Sequence, residues 1–324
     1  MRISSDLPDL PLYRITVPTP FPVGPVNLYV VTEPEVVLID CGPMTRQARA
    51  ELDRLFAADD LDPARIQRIE LTHSHQDHYG LAAELARRSG APVYAHRDDH
   101  AAIRHDPTLH KFYTHLMLES GTPPELVLKM RDLFFFLSGV SEEVPGVLPI
   151  EDLGAVQCGP ARFEFVHLPG HTPGSIGLWN SEARILIGGD AAIAKITPNP
   201  FSGPDADGPY GRFRSLARYW ETFDLLRKMN PAIIHAGHAE PITEFPPYYD
   251  WSLELHRSRQ QAILDAIGKG AGSVHEIALA LFPDVVPSGS FLALTEVFSH
   301  LDLLEEERRV RRELRGSVAI YLNQ

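Results

Sequence analysis

The stretch THSHQDH, residues 72–78, decides the fold, and it directly follows the apolar run of residues 66–71. Three imidazoles and one carboxylate fall within six residues, where a short strand is predicted to end and the chain to turn. Their side chains can therefore converge on one point. Histidine nitrogen and aspartate oxygen together suit zinc, iron or manganese, whereas calcium prefers oxygen ligands alone.

Three further donors stand beside glycine later in the chain. They are His171 in LPGHTPG (168–174), Asp190 in GGD (188–190) and His238 in AGH (236–238). Glycine permits backbone conformations that other residues avoid and lets the chain approach a ligand closely. The candidate metal ligands are therefore His73, His75, Asp77, His78, His171, Asp190 and His238.

These residues resemble the metallo-β-lactamase superfamily, whose His-x-His-x-Asp-His motif is matched by residues 73–78 and whose later His, Asp and His follow in order. The resemblance covers residues 12–245 and is to the glyoxalase II-like members. It implies an α/β fold, the αββα sandwich of two mixed sheets with helices outside. It also implies that His73, His75 and His171 bind one metal, that Asp77, His78 and His238 bind the second, and that Asp190 bridges them.

The cofactors implied by the resemblance are two divalent metal ions. Zinc is the expected metal, and iron and manganese are the alternatives. Asp40 matches the family's early aspartate and is expected to orient a ligand histidine or the loop that bears it. A purely structural role at a strand end is the alternative for Asp40.

Two metals about 3.5 Å apart can share a hydroxide that is nucleophilic near neutrality, so the implied reaction is hydrolysis. Asp77 is expected to be a ligand first and a proton shuttle second. The leading hypothesis is a hydrolase of a small ester, thioester or lactone. A mononuclear iron oxygenase, like the family's persulfide dioxygenases, uses only some of these ligands and stays open.

The rest of the chain divides into three parts. Residues 1–250 are predicted to form the catalytic domain, with a helical insertion at 97–147, and residues 251–324 a winged-helix-like C-terminal domain. The insertion is predicted to pack on the sandwich or on a second copy in a homodimer, or to form an apolar wall that selects an acyl or aromatic substrate. The insertion contains a dense apolar cluster of Leu126, Val127, Leu128, Met130, Leu133, Phe134, Phe135, Phe136 and Leu137.

Tyr210 and a group of histidines lie outside the predicted ligand set. Tyr210, in a glycine- and proline-rich loop, is a candidate hydrogen-bond donor to substrate, and packing of its loop is the alternative. Five histidines in and directly before the insertion match no ligand spacing and are expected at the surface, with substrate contact as the alternative; they are His96, His100, His105, His110 and His115.

The tail is similar to that of the β-lactamase-like-protein-2 group, with a capping box expected at Ser273 and Glu276. Relatives of that group include single-strand ribonucleases, and five arginines between 308 and 315 could contact phosphates. Residues 255–324 nevertheless hold eight Lys or Arg against nine Asp or Glu, which favours a solvated or dimer-forming tail. The alternatives are a phosphodiesterase or single-strand ribonuclease, and a ligand-sensing regulator acting on DNA or a partner.

Composition sets broad limits on these hypotheses. A net charge of −13 disfavours wholesale nucleic-acid binding. The predicted partner is a small-molecule acyl-type substrate, because the metal ligands are complete and the insertion is apolar. Cys41 and Cys158 are expected to be buried free thiols. No apolar run predicts a signal peptide or a membrane span, so the expected location is cytoplasmic, without a membrane partner.

Overall fold

The computed structural model describes residues 10–58, 61–285 and 287–324, and the side chains of all of these except 133–138 and 287–289. Within this described part, the strands form a six-stranded sheet, a five-stranded sheet and a C-terminal hairpin. The first sheet has the order β1 (Leu12–Val17), β2 (Val26–Val31), β3 (Val37–Ile39), β4 (Arg68–Glu70), β5 (Val93–Ala95) and β6 (Leu148–Pro149). From β3 to β6 the pairing is parallel.

The second sheet has the order β11-β10-β9-β8-β7, and it is antiparallel except between β10 and β11. Its strands are β7 (Ala155–Cys158), β8 (Ala161–His167), β9 (Ile176–Asn180), β10 (Ile185–Gly189) and β11 (Ile233–Ala236). The inner faces of the two sheets share one core, in which Tyr29 and Ile39 of the first sheet belong with Phe163 and Leu178 of the second. Every residue of β2 and β3 is buried, as expected for strands that are covered on both faces.

Helices cover the outer faces of both sheets. Beside the first sheet lie α1 (Arg46–Ala58), α2 (Gln76–Tyr79) and α3 (Ala82–Ser89). The face of α1 that carries Ala48, Leu52 and Phe56 is buried in the core that contains Leu38 and Ile69. The second sheet is covered by α7 (Ser215–Met229) and by the start of α8 (Phe245–Gly268). The predicted α/β sandwich of the αββα type is confirmed.

The insertion is helical, as predicted, and contains α4 (His100–Ile103), α5 (Pro107–Glu119) and α6 (Pro124–Ser138). Its buried residues Leu116, Met117, Val127 and Met130 share a core with the C-terminal helices. Val127 and Met130 of the predicted apolar cluster are thus covered by the C-terminal segment of the same chain, whereas Ile103, Val144 and Val147 of the insertion lie in the core of the first sheet. Packing on a second copy stays a prediction. The side chains of residues 133–137, which the predicted apolar cluster included, lie outside the described residues.

The C-terminal segment continues from α8 through α9 (Val274–Leu281) and α10 (Pro287–Glu306) to the hairpin of β12 (Val310–Arg315) and β13 (Val318–Asn323). The capping box of Ser273 and Glu276 at the start of α9 is confirmed. Helix α8 is continuous across the predicted boundary at 250. Its first turns pack beside α7, whereas Ile263 and Ala266 lie in the C-terminal core. The winged-helix assignment stays a prediction.

Candidate metal centre

The seven predicted metal ligands come together at the ends of strands from both sheets. The HSHQDH segment follows β4, and α2 begins inside it at Gln76. His171 follows β8, Asp190 follows β10 and His238 follows β11. Both sheets therefore deliver ligands to one edge of the sandwich.

The ligand atoms fall into groups whose members lie within 4.8 Å of one another. One group is His73, His75 and His171; another is Asp77, His78 and His238; a third joins His73, His78 and Asp190. Asp190 faces the first two groups at once. Its Oδ1 lies 3.5 Å from His78 Nε2, and its Oδ2 lies 3.5 Å from His171 Nε2 and 3.6 Å from His238 Nε2.

Several buried polar atoms in this cluster have no hydrogen-bond partner among the described residues. They are the Nε2 atoms of His73, His78, His171 and His238, and Oδ1 of Asp190. Buried polar atoms are almost always satisfied in folded proteins, so their convergence points to a bound ligand that accepts lone pairs. Imidazole nitrogen and carboxylate oxygen are the donors that a divalent transition metal prefers. The residues present therefore fit divalent metal ions.

The opposite ring nitrogen of each of these histidines is held by a hydrogen bond. The Nδ1 atoms pair with Thr72 Oγ1 (His73, 3.1 Å), Asp40 Oδ2 (His78, 2.8 Å), the Asn199 carbonyl (His171, 2.9 Å) and the Pro25 carbonyl (His238, 2.8 Å). An acceptor at Nδ1 keeps the proton there and turns the Nε2 lone pair toward the cluster. The rings are thus oriented for metal binding by their surroundings.

Asp40 makes the contacts that its predicted orienting role requires. Besides accepting from His78, its carboxylate accepts hydrogen bonds from the backbone N–H and the hydroxyl of Thr72, both at 2.8 Å. Asp40 is buried and has a φ of 60°, a left-handed conformation that a non-glycine residue seldom adopts. The Asp40 carboxylate therefore holds the His78 ring and the loop that carries His73, His75 and Asp77.

Asp99 makes comparable contacts and was not predicted from the sequence. Its carboxylate accepts hydrogen bonds from Ser74 N–H (2.8 Å), the Thr172 hydroxyl (2.8 Å) and Gly174 N–H (2.9 Å). It therefore ties the loop that bears His73 and His75 to the loop that bears His171. The sequence offers no signal for this role, because Asp98 beside it is chemically identical and exposed.

Burial and neighbouring charges set the protonation of the cluster. Burial, with smaller contributions from His78 and His75, lowers the pKa of His73 well below its usual value, and burial lowers the pKa of His75 to about 3. Burial also opposes the charged form of His78, but Asp190 and Asp40 outweigh it and raise the pKa of His78. The rings of His73 and His75 are therefore neutral, the form in which imidazole binds a cation, whereas metal binding at His78 would displace a proton.

Glycine is required at Gly237, directly before the ligand His238. A Cβ atom there would collide with Asp190 Oδ1 and would lie 2.6 Å from His78 Cε1. The backbone can pass this close to the ligands only because no side chain is present. The expectation that glycine beside a ligand serves close approach holds at this position.

The ring of Phe201 adjoins His75 and is packed against aromatic rings from two other segments. The Phe201 ring lies 5.2 Å from the His75 ring, and it also contacts Tyr113 of α5 at 5.9 Å and Phe291 of α10 at 5.3 Å. We call Tyr113, Phe201 and Phe291 the aromatic wall. The insertion and the C-terminal segment thus both contact the ring that adjoins His75.

The remaining candidates lie outside the seven-residue cluster. The Tyr210 hydroxyl donates to Glu305 at 2.8 Å, and the Arg312 guanidinium lies 4.1 Å from the Tyr210 ring centroid. His105 hydrogen-bonds to the Tyr79 hydroxyl at 2.9 Å, and the His96 ring stacks on His167 at 4.1 Å. The predicted substrate role of Tyr210 therefore gains no support from its contacts. The two cysteines are buried and free, as predicted.

The family is decided by a match between residues 21–238 and the model of a family described as the metallo-beta-lactamase superfamily. The chain belongs to this superfamily. The predicted superfamily and its metallo-hydrolase class are confirmed. Within the described residues, no helix has the length and apolar character needed to cross a bilayer.

Two members of the superfamily match almost the whole chain. The probable metallo-hydrolase YqjP of Bacillus subtilis (strain 168) is 26% identical over 316 residues, which cover 95% of this chain and 96% of that protein. The structure of metallo-beta-lactamase family protein TTHA1429 from Thermus thermophilus matches with a TM-score of 0.83 and 29% identity, covering 99% of this chain and 100% of that one. The similarity to TTHA1429 thus includes the C-terminal segment.

A third relative matches a smaller part of the chain. Hydroxyacylglutathione hydrolase GloC from Haemophilus influenzae is 28% identical over 190 residues, which cover 55% of this chain and 76% of that protein.

Proposed function

We propose that this protein uses two divalent metal ions to hydrolyse a small ester, thioester or lactone. Zinc is the expected metal, and iron and manganese are the alternatives. The observation that carries this proposal is the position of Asp190, whose carboxylate lies within 3.6 Å of ring nitrogens from both ligand groups: Oδ2 approaches His171 of one group and His238 of the other, and Oδ1 approaches His78. A carboxylate between two ligand groups is placed to bridge two cations.

The ligand groups divide the work of holding the ions. His73, His75 and His171 would hold one ion, and Asp77, His78 and His238 the other. Bound there, two divalent ions activate water as the nucleophile and polarise the bond that is attacked. The chain's own contribution is orientation, because the carboxylate of Asp40 and two backbone carbonyls fix ligand rings.

Asp77 is the candidate for proton transfer. Its Oδ2 lies 3.3 Å from His238 Nε2, and it is buried. Burial alone would raise its pKa, but the neighbouring His238 and His78 imidazoles outweigh burial and lower it. Asp77 is therefore ionised near neutral pH, as both a ligand and a proton acceptor must be.

The surroundings of the site support an acyl substrate. The aromatic wall stands beside His75 and offers apolar surface to an acyl or thioester chain. GloC, by its name a hydrolase of hydroxyacylglutathione, is among the relatives, which favours an S-acyl substrate for this chain. The tail arginines give the ribonuclease alternative little support, since Arg309, Arg311 and Arg312 each pair with a carboxylate.

The proposal is tested with protein stripped of metal by a chelator and reloaded with zinc, manganese or ferrous iron. We expect two metal equivalents per chain and turnover of at least one class in a panel of acyl esters, S-acyl glutathiones and lactones. His73→Ala should remove this activity, whereas His115→Ala, which changes an exposed histidine of α5, should keep it. Inactivity on the whole panel, or metal-dependent cleavage of single-stranded RNA instead, would overturn the proposal.

A further inference from the structure

Residues 199–201 lie between the metal centre and helix α10. The backbone carbonyl of Asn199 accepts the hydrogen bond from His171 Nδ1 at 2.9 Å, and the ring of Phe201 contacts His75. This segment therefore touches two of the three histidines of one ligand group, although it contains no ligand itself.

Helix α10 holds the Asn199 side chain at both ends of its amide. The amide nitrogen donates to the Leu292 carbonyl at 3.0 Å and to Glu296 Oε2 at 3.1 Å, and the Thr295 hydroxyl donates to the amide oxygen at 2.8 Å. Thr295 is fully buried, and Glu296 is buried. An asparagine engaged in this way has little freedom to rotate, so its backbone carbonyl is fixed as well.

A second contact anchors the next residue of the segment. The Ser299 hydroxyl, one turn further along α10, donates to the Pro200 carbonyl at 3.0 Å. Two consecutive residues are thus tied to the buried face of one helix.

Glu296 is itself held as an anion. Arg259 Nη1 lies 2.5 Å and His300 Nε2 3.2 Å from its Oε1. Burial alone raises its pKa, but the hydrogen bond to His300 and the charges of His300 and Arg259 outweigh burial and lower it to about 2. Glu296, His256 and His300 are close enough to hold a cation, yet the Arg259 guanidinium already occupies this carboxylate. The group therefore acts as an anchor for Asn199.

We propose that α10 positions the metal centre: through Thr295 and Glu296 it fixes Asn199, whose carbonyl orients His171, and so sets the affinity for one of the two ions. The proposal rests on the dinuclear site proposed above. It makes the C-terminal segment part of the hydrolase site. Thr295 and Asn199 are positioning residues, because neither belongs to a ligand group.

The expected effect follows from how outer contacts act on metal ligands. Removing such a contact weakens metal binding by about tenfold to a hundredfold, because the ligand ring loses its fixed orientation. His171 belongs to the group with His73 and His75 and not to the group with Asp77, His78 and His238. Only one of the two ions should therefore be bound more weakly.

Thr295→Val is the decisive variant, since it keeps the shape of the side chain and removes the hydroxyl that donates to Asn199. Thr295→Ser restores the hydroxyl and is the rescue. Asn199→Ala breaks the same link from the other side and leaves α10 unchanged. Glu306→Gln is the matched control on α10, because Glu306 pairs with Arg214 at the surface and does not contact residues 199–201.

Metal-free protein is titrated with cobalt(II) against a competing chelator, and the visible absorption of the bound cobalt is followed. We expect two equivalents in the wild type, a tenfold to hundredfold weaker affinity for one of them in Thr295→Val and Asn199→Ala, and wild-type affinities in Thr295→Ser and Glu306→Gln. Thermal melting of each metal-free variant shows that it is folded.

Each result has a distinct meaning. Two equivalents bound with unchanged affinities and spectra in both Thr295→Val and Asn199→Ala would overturn this inference and leave the proposed function standing. Fewer than two equivalents in the wild type would overturn the dinuclear function, and the inference with it. If Thr295→Val does not fold, the metal affinities of Asn199→Ala alone decide whether the inference stands.

Discussion

Arg212 and Asp302 form a buried ion pair between the segment before α7 and helix α10. Arg212 Nε and Nη2 face the two carboxylate oxygens of Asp302 at 3.1 and 2.5 Å, and Arg212 is only 1% exposed. The guanidinium also lies 4.5 Å from the Phe298 ring centroid. This pair joins the sandwich to the C-terminal segment at a point that water does not reach.

Asp302→Asn is expected to destabilise the protein by about 3 kcal/mol, because it removes the nearer carboxylate from the buried Arg212 charge and leaves Glu119, 3.6 Å from Arg212 Nη1, as a more distant partner. Urea unfolding gives the free energy. Replacing both residues by apolar ones, as in Arg212→Met with Asp302→Leu, should recover much of the loss. Arg214→Gln breaks the more exposed pair with Glu306 and should cost less than about 1 kcal/mol. Equal losses in Asp302→Asn and Arg214→Gln would contradict the prediction.

The candidate ligands were predictable because they form local sequence patterns, and the αββα sandwich followed from the family that these patterns resemble. The HSHQDH motif places four donors after one strand, and glycines mark the three later ligands. The partners that cover the insertion were not predictable, because apolar residues specify burial and not the surface that buries them. The domain boundary at 250 was predicted from the change to mostly helical sequence patterns beyond it, but α8 continues across it without a break.

The residues that hold the candidate ligands in place were the hardest to predict from the sequence. Asp40 was found only because it matches a family position, whereas Asp99 and Asn199 act through contacts between segments that are far apart in the chain. Contacts of this kind leave no periodicity or spacing to detect. They become visible only when the folded chain shows which of several similar polar residues is buried.

Asp99→Ala is expected to impair the metal centre and leave the fold largely intact. The buried N–H groups of Ser74 and Gly174 would lose their acceptor, and the loops bearing His75 and His171 would lose their tie. We expect metal affinity and kcat/KM to fall by about tenfold to a hundredfold. Asp98→Ala changes the exposed neighbour and serves as the control. Indistinguishable metal titrations for the two variants would contradict this role.

Phe201→Ala is expected to change substrate preference through the aromatic wall. Loss of the ring removes apolar surface beside His75, so esters with longer or aromatic acyl groups should lose about tenfold in kcat/KM and acetyl esters much less. Leu128→Ala, an exposed apolar residue of the insertion, is the control. A metal titration shows whether both ions still bind. Equal losses on short and long acyl groups would show that the ring does not select substrate.

Glu70 predicts a pH dependence of stability. Its carboxyl lies fully buried on β4, and burial outweighs the Arg68 guanidinium 2.7 Å away and raises its pKa from 4.5 to about 7. The folded state therefore holds this proton more tightly than the unfolded state does. Stability should fall as pH rises from about 4.5 to about 7, by about 3 kcal/mol in total.

The measurement is urea unfolding of metal-free wild type and Glu70→Gln at pH 5 and pH 8, because other titrating groups cancel in the difference between the two proteins. Glu70→Gln carries no ionisable group at this position, so wild type should lose about 3 kcal/mol relative to it between the two pH values. Glu254→Gln makes the same change at an exposed site of α8 and should track wild type. A difference between wild type and Glu70→Gln that stays constant with pH would show that Glu70 is ionised throughout, with Arg68 rather than burial controlling its charge.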